Sequence, residues 1–403
     1  MFLDTSRNRR VIAHKKKGHM SANHALPFRM SRASCRKGKI LLRELALVVH
    51  AAALAKGSYG QFHRGVLGCT GTVGVKSVYM PFVDDEESVQ NWTAAVHEIA
   101  LLRAMSKCSR RVVHAIHAVY AHNIGTMYIV TEMCRMDLRQ YIRNGHARRV
   151  NREYPDAMKS WSRHMTEMLG VLRAFRTIHM DIKPENILVD EHCKLKLCDF
   201  GLARFFARDA SPWISERVAY TRWYRPPQVC VRRRYSYGAD TWAMGCVLYE
   251  LADAVFAKWP TYAPLFGGTT SLLTATVPND GCPVSLVEEG EIVERVSVTM
   301  SPTMQIVCIY KTIAPAACMS SVIDVTRMDD VRESRKVTPS DIWPNDILSL
   351  CRRMCRFHEK DRLRVDPALY PSQEALATLE HTLAVTAPNI QEVAKSAMTG
   401  HSA

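Results

Sequence analysis

Four apolar residues, Val96, Ile99, Leu102 and Met105, recur at helical spacing between Glu86 and Met105, and this stretch is predicted to form an amphipathic helix. Upstream, from about residue 44, the pattern turns strand-like. Met127 to Cys134 is a short, mostly apolar run and predicts a buried strand. Two shorter runs, Asn186 to Val189 and Leu195 to Cys198, flank the polar stretch Asp190 to Lys194 and predict the strands of a hairpin. Residues 269–303 also alternate like a strand and are acidic from Glu288 to Glu294, with no repeat and no recognisable chemistry. No apolar run reaches the length needed to cross a bilayer. The nearest, Leu45 to Ala55, is short and contains His50.

The hairpin directs attention to residues 178–201, where it aims the loops before and after it at one cleft. Asp181 can accept the proton of an attacking hydroxyl, and Lys183 can neutralise a phosphoryl group in flight. Asn186 and Asp199 are hard oxygen donors of the type Mg²⁺ prefers. Each residue alone would more often cap a turn. Together they supply the positioning and charge compensation that phosphoryl transfer requires.

This stretch, ending in Asp199-Phe200-Gly201, resembles the catalytic loop and Asp-Phe-Gly segment of protein kinases. The resemblance implies an α+β, bilobal fold that uses ATP and Mg²⁺. A small, mostly β N-lobe with one key helix would occupy residues 44–134, and a larger, mostly α C-lobe residues 135–380, with an insertion at about 269–303. Residues 1–43 and 381–403 would be tails. Gly57, Ser58, Tyr59 and Gly60 resemble the glycine hairpin over the ATP phosphates. Lys76 would hold the α/β-phosphates and Glu98 would pair with it. Phe62 and Gly74 would form the roof over adenine and Leu188 the floor. The backbone of Glu132 and Cys134 would meet the adenine edge, with Thr131 guarding the rear pocket.

Further motifs resemble the CMGC group, which includes the cyclin-dependent and mitogen-activated kinases: Trp223-Tyr224-Arg225, Tyr237 to Cys246 with Asp240 holding the catalytic loop, Pro264 to Gly268, and Met304 to Lys311. Pro226-Pro227 looks like the cyclin-dependent side. Lys183-Pro184-Glu185-Asn186 resembles the serine/threonine class. Arg225 would then select proline after the phosphoacceptor, and Trp92 to Glu98 would lie where a cyclin-like activator grips. Five positions depart from the pattern: Ala55, Phe62, Gly74, Met180 and Gln228. Gln228 replaces a glutamate that pairs with Arg362, so a neutral amide contact is expected there. The three positions that hold an activation-loop phosphate in cyclin-dependent kinases are His97, Met180 and Arg204, and the phosphoacceptor position is Glu216. Glu216 with Arg204 would therefore hold the loop without phosphorylation, with Ser215 as a displaced phosphosite. Ser58 and Tyr59 match the inhibitory pair of the glycine loop.

Composition adds limits. The 403 residues are 47% hydrophobic and 23% charged, ordinary for a core-forming protein. Thirteen scattered cysteines without a Cys-x-x-Cys pair, and no secretory signal pattern, fit a reduced intracellular setting. Residues 1–43 carry twelve Lys or Arg and one acid, Asp4, so a net +11 sits there and +4 of the total +15 remains elsewhere. That segment suits nucleic acid, an acidic partner, or a nuclear address through Arg9-Arg10 and Lys15-Lys16-Lys17. Three readings follow: an active kinase acting on Ser/Thr-Pro sites, a pseudokinase or scaffold, and a nucleic-acid-associated protein with the kinase body as passenger.

Overall fold

The computed structural model describes residues 27–57, 60–68, 70–81, 85–207, 211–214, 220–230, 234–257, 345–356, 359–365, 373–386 and 390–399. An eight-stranded sheet forms the N-terminal half: β1 (Arg29–Ser31), β2 (Ala33–Arg36), β3 (Lys39–Leu42), β4 (Leu47–Gly57), β5 (Gly60–Leu67), β6 (Gly71–Tyr79), β7 (Ala115–Ala121) and β8 (Thr126–Glu132). Its order is β1-β7-β8-β6-β5-β4-β3-β2, antiparallel throughout except for the parallel pair β1 and β7.

Helix α1 (Glu86–Cys108) starts where the Asp85 carboxylate accepts the Ser88 N–H, with Glu86 and Glu87 in its first turn favoured by the helix dipole. Val96, Ile99, Leu102 and Met105 are all buried, on the apolar face that their spacing predicts.

The second half is mainly helical: α2 (Leu138–Arg143), α3 (His146–Glu153), α4 (Ala157–Ala174), α5 (Pro227–Cys230), α6 (Gly238–Phe256), α7 (Asn345–Met354), α8 (Gln373–Thr386) and α9 (Ile390–Thr399). Most of α6 is buried, so it reads as apolar around its whole circumference and forms the centre of this half. Short strands β9 (Met136–Asp137), β11 (Ile187–Val189) and β12 (Leu195–Leu197) make a small sheet, and β10 (Thr177–Ile178) pairs with β13 (Arg204–Phe205). The β11–β12 hairpin is the predicted one. Its turn is set by the Asp190 carboxylate, which accepts the N–H groups of His192 and Lys194.

Both expected tails need correction. Residues 29–42 are three strands of the sheet rather than part of a tail, because Ile40 and Leu42 pair into β4 and Phe28 packs on Trp92 and Tyr120, centroids 6.1 and 6.4 Å away. The basic residues there are exposed, on the strands or in the turns between them. Residues 381–386 and 390–399 belong to α8 and α9, which pack against α1 and bury Leu383, Ile390, Val393 and Ala394. The insertion at 269–303 and residues 1–26 lie outside the described residues.

Candidate active site

Backbone geometry places the loop before β11. Asp240, at the start of α6, accepts the N–H of His179 at 2.7 Å and of Met180 at 3.1 Å. Met180 is held at φ +68° and its side chain is fully buried. Asp181 follows with both carboxylate oxygens engaged. Oδ2 accepts from Lys183 Nζ at 2.7 Å and from Asn186 Nδ2 at 2.9 Å, and Oδ1 accepts from the Thr221 hydroxyl at 2.7 Å. Lys183 also reaches Thr221 Oγ1 at 3.3 Å. Asp181, Lys183, Asn186 and Thr221 thus form one cluster.

Across the cleft, Lys76 Nζ on β6 donates to Glu98 Oε1 of α1 and to Asp199 Oδ1, each at 2.7 Å. Burial works against the Lys76 charge, but the carboxylates of Glu98 and Asp199 outweigh it and hold its pKa above the usual lysine range. Burial would likewise raise Asp199, yet Lys76 prevails and keeps that carboxyl below the usual range. Asp199 sits at φ +61°, in the left-handed region, which Asp tolerates better than most L-residues. Next to it, Phe200 is buried with its ring 5.0 Å from that of His179, whose Nε2 donates to the Cys198 carbonyl at 3.0 Å.

The residues present fit Mg²⁺. Asp199 offers a partly exposed carboxylate with Lys76 on only its Oδ1, and the Asn186 amide nitrogen faces Asp181, which turns its carbonyl oxygen away. Two hard oxygen donors, with phosphates and water completing the shell, are what this ion takes at nucleotide sites. Bound there, it would neutralise charge on the phosphates.

The roof is unusual. Phe62 is half-buried, and its ring occupies the space above Gly74, next to Thr131. Leu188 lies half-buried on β11. At the hinge the Glu132 N–H is committed to the His114 carbonyl, and its carboxylate pairs with Lys196 at 2.7 Å. Burial pushes the Cys134 thiol up to about 12. A cavity of about 560 Å³ opens beside the hinge, lined by Arg64, Thr72, Met133, Cys134, Arg135 and Glu191. Neither Lys76, Asp181 nor Asp199 lines it.

The backbone of Gly57 pairs with Gly60, closing β4 onto β5. Ser58, Tyr59, Ser215 and Glu216 lie outside the described residues, and Arg204 is exposed. Gln228 does contact Arg362, accepting from its Nη2 at 2.8 Å, but the contact is not merely a neutral substitute. Gln228 Nε2 donates to Glu359 at 3.0 Å, so a carboxylate stands one side chain further on.

Sequence reasoning missed Thr221, whose hydroxyl meets the candidate base. It also missed Arg139, which joins Glu185 of the catalytic loop (3.0 Å), Glu250 of α6 (2.5 Å) and the Tyr224 hydroxyl in a buried network. A buried arginine among carboxylates would have to be paired, but nothing local to Leu138–Arg143 shows which partners it meets.

A buried lysine bridging a helix carboxylate and an Asp-Phe-Gly aspartate, facing an Asp/Lys/Asn cluster, defines the site of a protein kinase. The family profile described as "Protein kinase domain" matches residues 49–262, just over half of the chain, and the chain belongs to that family. Among curated proteins it is similar to Extracellular signal-regulated kinase 7 of Drosophila melanogaster, 30% identical over 241 residues, which are 56% of this chain and 24% of that one. Mitogen-activated protein kinase 15 of Rattus norvegicus is 31% identical over 242 residues, 56% of this chain and 40% of the relative. Mitogen-activated protein kinase 7 of Oryza sativa subsp. japonica is 28% identical over 356 residues, 85% of this chain and 53% of the relative. The chain therefore spans between a quarter and about half of the length of these relatives. They are mitogen-activated kinases, which places it in the CMGC group.

Proposed function

We propose that this chain is an active serine/threonine kinase that transfers the γ-phosphate of ATP, with Mg²⁺, to protein hydroxyls followed by proline. One observation carries the reading: Lys76 pairs with Glu98 and Asp199 at the same time, while Asp181, Lys183, Asn186 and Thr221 are assembled opposite. Lys76 orients the nucleotide phosphates, Asp181 orients the substrate hydroxyl and accepts its proton, and Lys183 offsets charge developing on the transferred group. The proline preference rests on the resemblance at Arg225.

A cyclin-like activator would need the outward face of α1. Trp92 is fully buried against Tyr120, ring centroids 4.8 Å apart, and α8 and α9 pack on the same helix. This supports a reading in which the chain supplies its own support for α1. The basic residues at the start of the chain are proposed to direct it to the nucleus, which a fluorescent fusion with and without residues 1–26 would test.

The decisive assay is radiolabelled γ-phosphate transfer to paired Ser-Pro and Ser-Ala peptides. Wild type should favour Ser-Pro. Asp181→Asn should lower kcat by about 10² to 10⁴ while nucleotide binding persists, and Asp199→Asn should weaken Mg²⁺-ATP capture. Equal transfer by Asp181→Asn and wild type would refute catalysis at this site.

A further inference from the structure

Tyr220, next to Thr221, is fixed at four points. Its N–H donates to the Met180 carbonyl at 3.0 Å. Its carbonyl accepts from Arg225 Nη2 at 3.1 Å. Its hydroxyl donates to Asp240 Oδ1 at 2.9 Å. Its ring lies edge-on to Tyr235, centroids 6.1 Å apart, and Tyr235 is itself bridged by backbone hydrogen bonds to Ile214. The side chain is 4% exposed.

The acceptor decides what this contact does. Asp240 Oδ1 also receives the Met180 N–H, and Oδ2 the His179 N–H. One carboxylate therefore holds the backbone just before Asp181 together with the side chain just before Thr221. Thr221 in turn donates to Asp181 Oδ1. The result is a closed ring of contacts running Asp181, Thr221, Tyr220, Asp240, Met180 and back to Asp181. Tyr220 and Met180 stand at φ +71° and +68°, conformations that persist only where several partners enforce them. Burial and the neighbouring Asp240 hold the phenol far above its usual pKa, so its proton stays in place to be donated.

We propose that Tyr220 is a positioning residue for the phosphoryl transfer read above: its hydroxyl, on Asp240, sets Thr221 against Asp181 and fixes the orientation of the candidate base without a phosphorylated residue in residues 211–225. The inference rests on the kinase reading for its catalytic consequence but not for its structural one, and the test separates the two.

The experiment compares full-length wild type with Tyr220→Phe, both phosphatase-treated and confirmed unphosphorylated by mass spectrometry. Loss of a hydrogen bond to a charged acceptor should lower kcat about tenfold. KM for ATP should be unchanged, since Lys76 and the hinge are untouched, and amide exchange at residues 220–225 and 179–181 should rise. Wild-type kcat in Tyr220→Phe overturns the proposal. So does a wild type that is inactive unphosphorylated but active phosphorylated, and so does failure of Tyr220→Phe to fold, which would make the hydroxyl a structural requirement instead. If wild type transfers no phosphate in any state, the kinase reading fails and amide exchange alone decides: faster exchange in Tyr220→Phe supports the tether, and unchanged exchange overturns it.

Discussion

The ring of Phe62 lies so close to the backbone of Gly74 that a methyl group built on Gly74 would come within 2.7 Å of the ring's Cζ. The two residues exchange bulk across the roof of the nucleotide cleft. A large side chain on β5 fills the space a small residue on β6 vacates, and Thr131 Oγ1, 3.0 Å from the same point, closes the far side.

Gly74→Ala should therefore overpack the roof and lower stability by about 1–3 kcal/mol. Phe62→Val alone should open a void and weaken nucleotide binding. The double variant should recover both properties, with a coupling of at least about 1 kcal/mol. Isothermal titration with ATP and chemical denaturation across the four proteins would measure it, and additive effects would refute the pairing.

A second reciprocal pair joins Gln228 and Glu359. Glu359 accepts the N–H groups of Ser236 and Gly238 at 2.8 and 3.1 Å as well as the Gln228 amide. Beside them, burial pulls the Arg362 guanidinium down to about 10. Gln228→Glu would set two half-buried carboxylates against each other, and even with Arg362 beside them should cost about 1–3 kcal/mol of stability. Adding Glu359→Gln should restore most of it, measured by denaturant midpoint.

His164 on α4 should make the protein sensitive to mild acid. Burial, with Arg111, Lys194 and Arg163 nearby, pushes its pKa down to about 4. The unfolded chain takes up this proton near pH 6.5 and the folded protein does not, so stability is complete above pH 6.5 and declines as pH falls towards 4. The loss is on the order of 3 kcal/mol. Denaturation at pH 7.5 and pH 5 should show a smaller pH difference for His164→Gln than for wild type.

Removing residues 373–403 should uncover apolar surface on α1 otherwise met by Leu379, Leu383, Ile390 and Val393. It would also break the Arg176–Glu380 ion pair of 2.8 Å, a small term beside the lost packing. The truncated chain should lose phosphotransfer activity more than it loses nucleotide affinity, whereas the full chain should work without an added activator. Equal specific activity of the two would show that α8 and α9 are dispensable for catalysis.

Much of this site could be read from the sequence because it is local. Asp181, Lys183, Asn186 and Asp199 fall within nineteen residues joined by one hairpin, and hairpin register follows from short-range pattern. Glu98 comes from the resemblance of its helix to that of protein kinases, its apolar period giving only the buried face. What escaped depends on contacts between distant segments. Residues 29–42 carry a basic composition that suggested a tail, and only pairing with β4 and β7 makes them strands. Glu359 looks like a surface carboxylate until Gln228 is seen beside it. Tyr220 gives no sign of its role, because its partner Asp240 is set by how α6 crosses beneath the catalytic loop.

The packing of α8 and α9 on α1 has a consequence for synthesis. Glu98 comes off the ribosome early, in a helix whose covering elements are encoded past residue 373. Domains fold as units, with the N-terminal part made first, so α1 waits for α8 and α9 before its packing is complete. Until α8 and α9 emerge, the helix that carries Glu98 lacks those apolar neighbours.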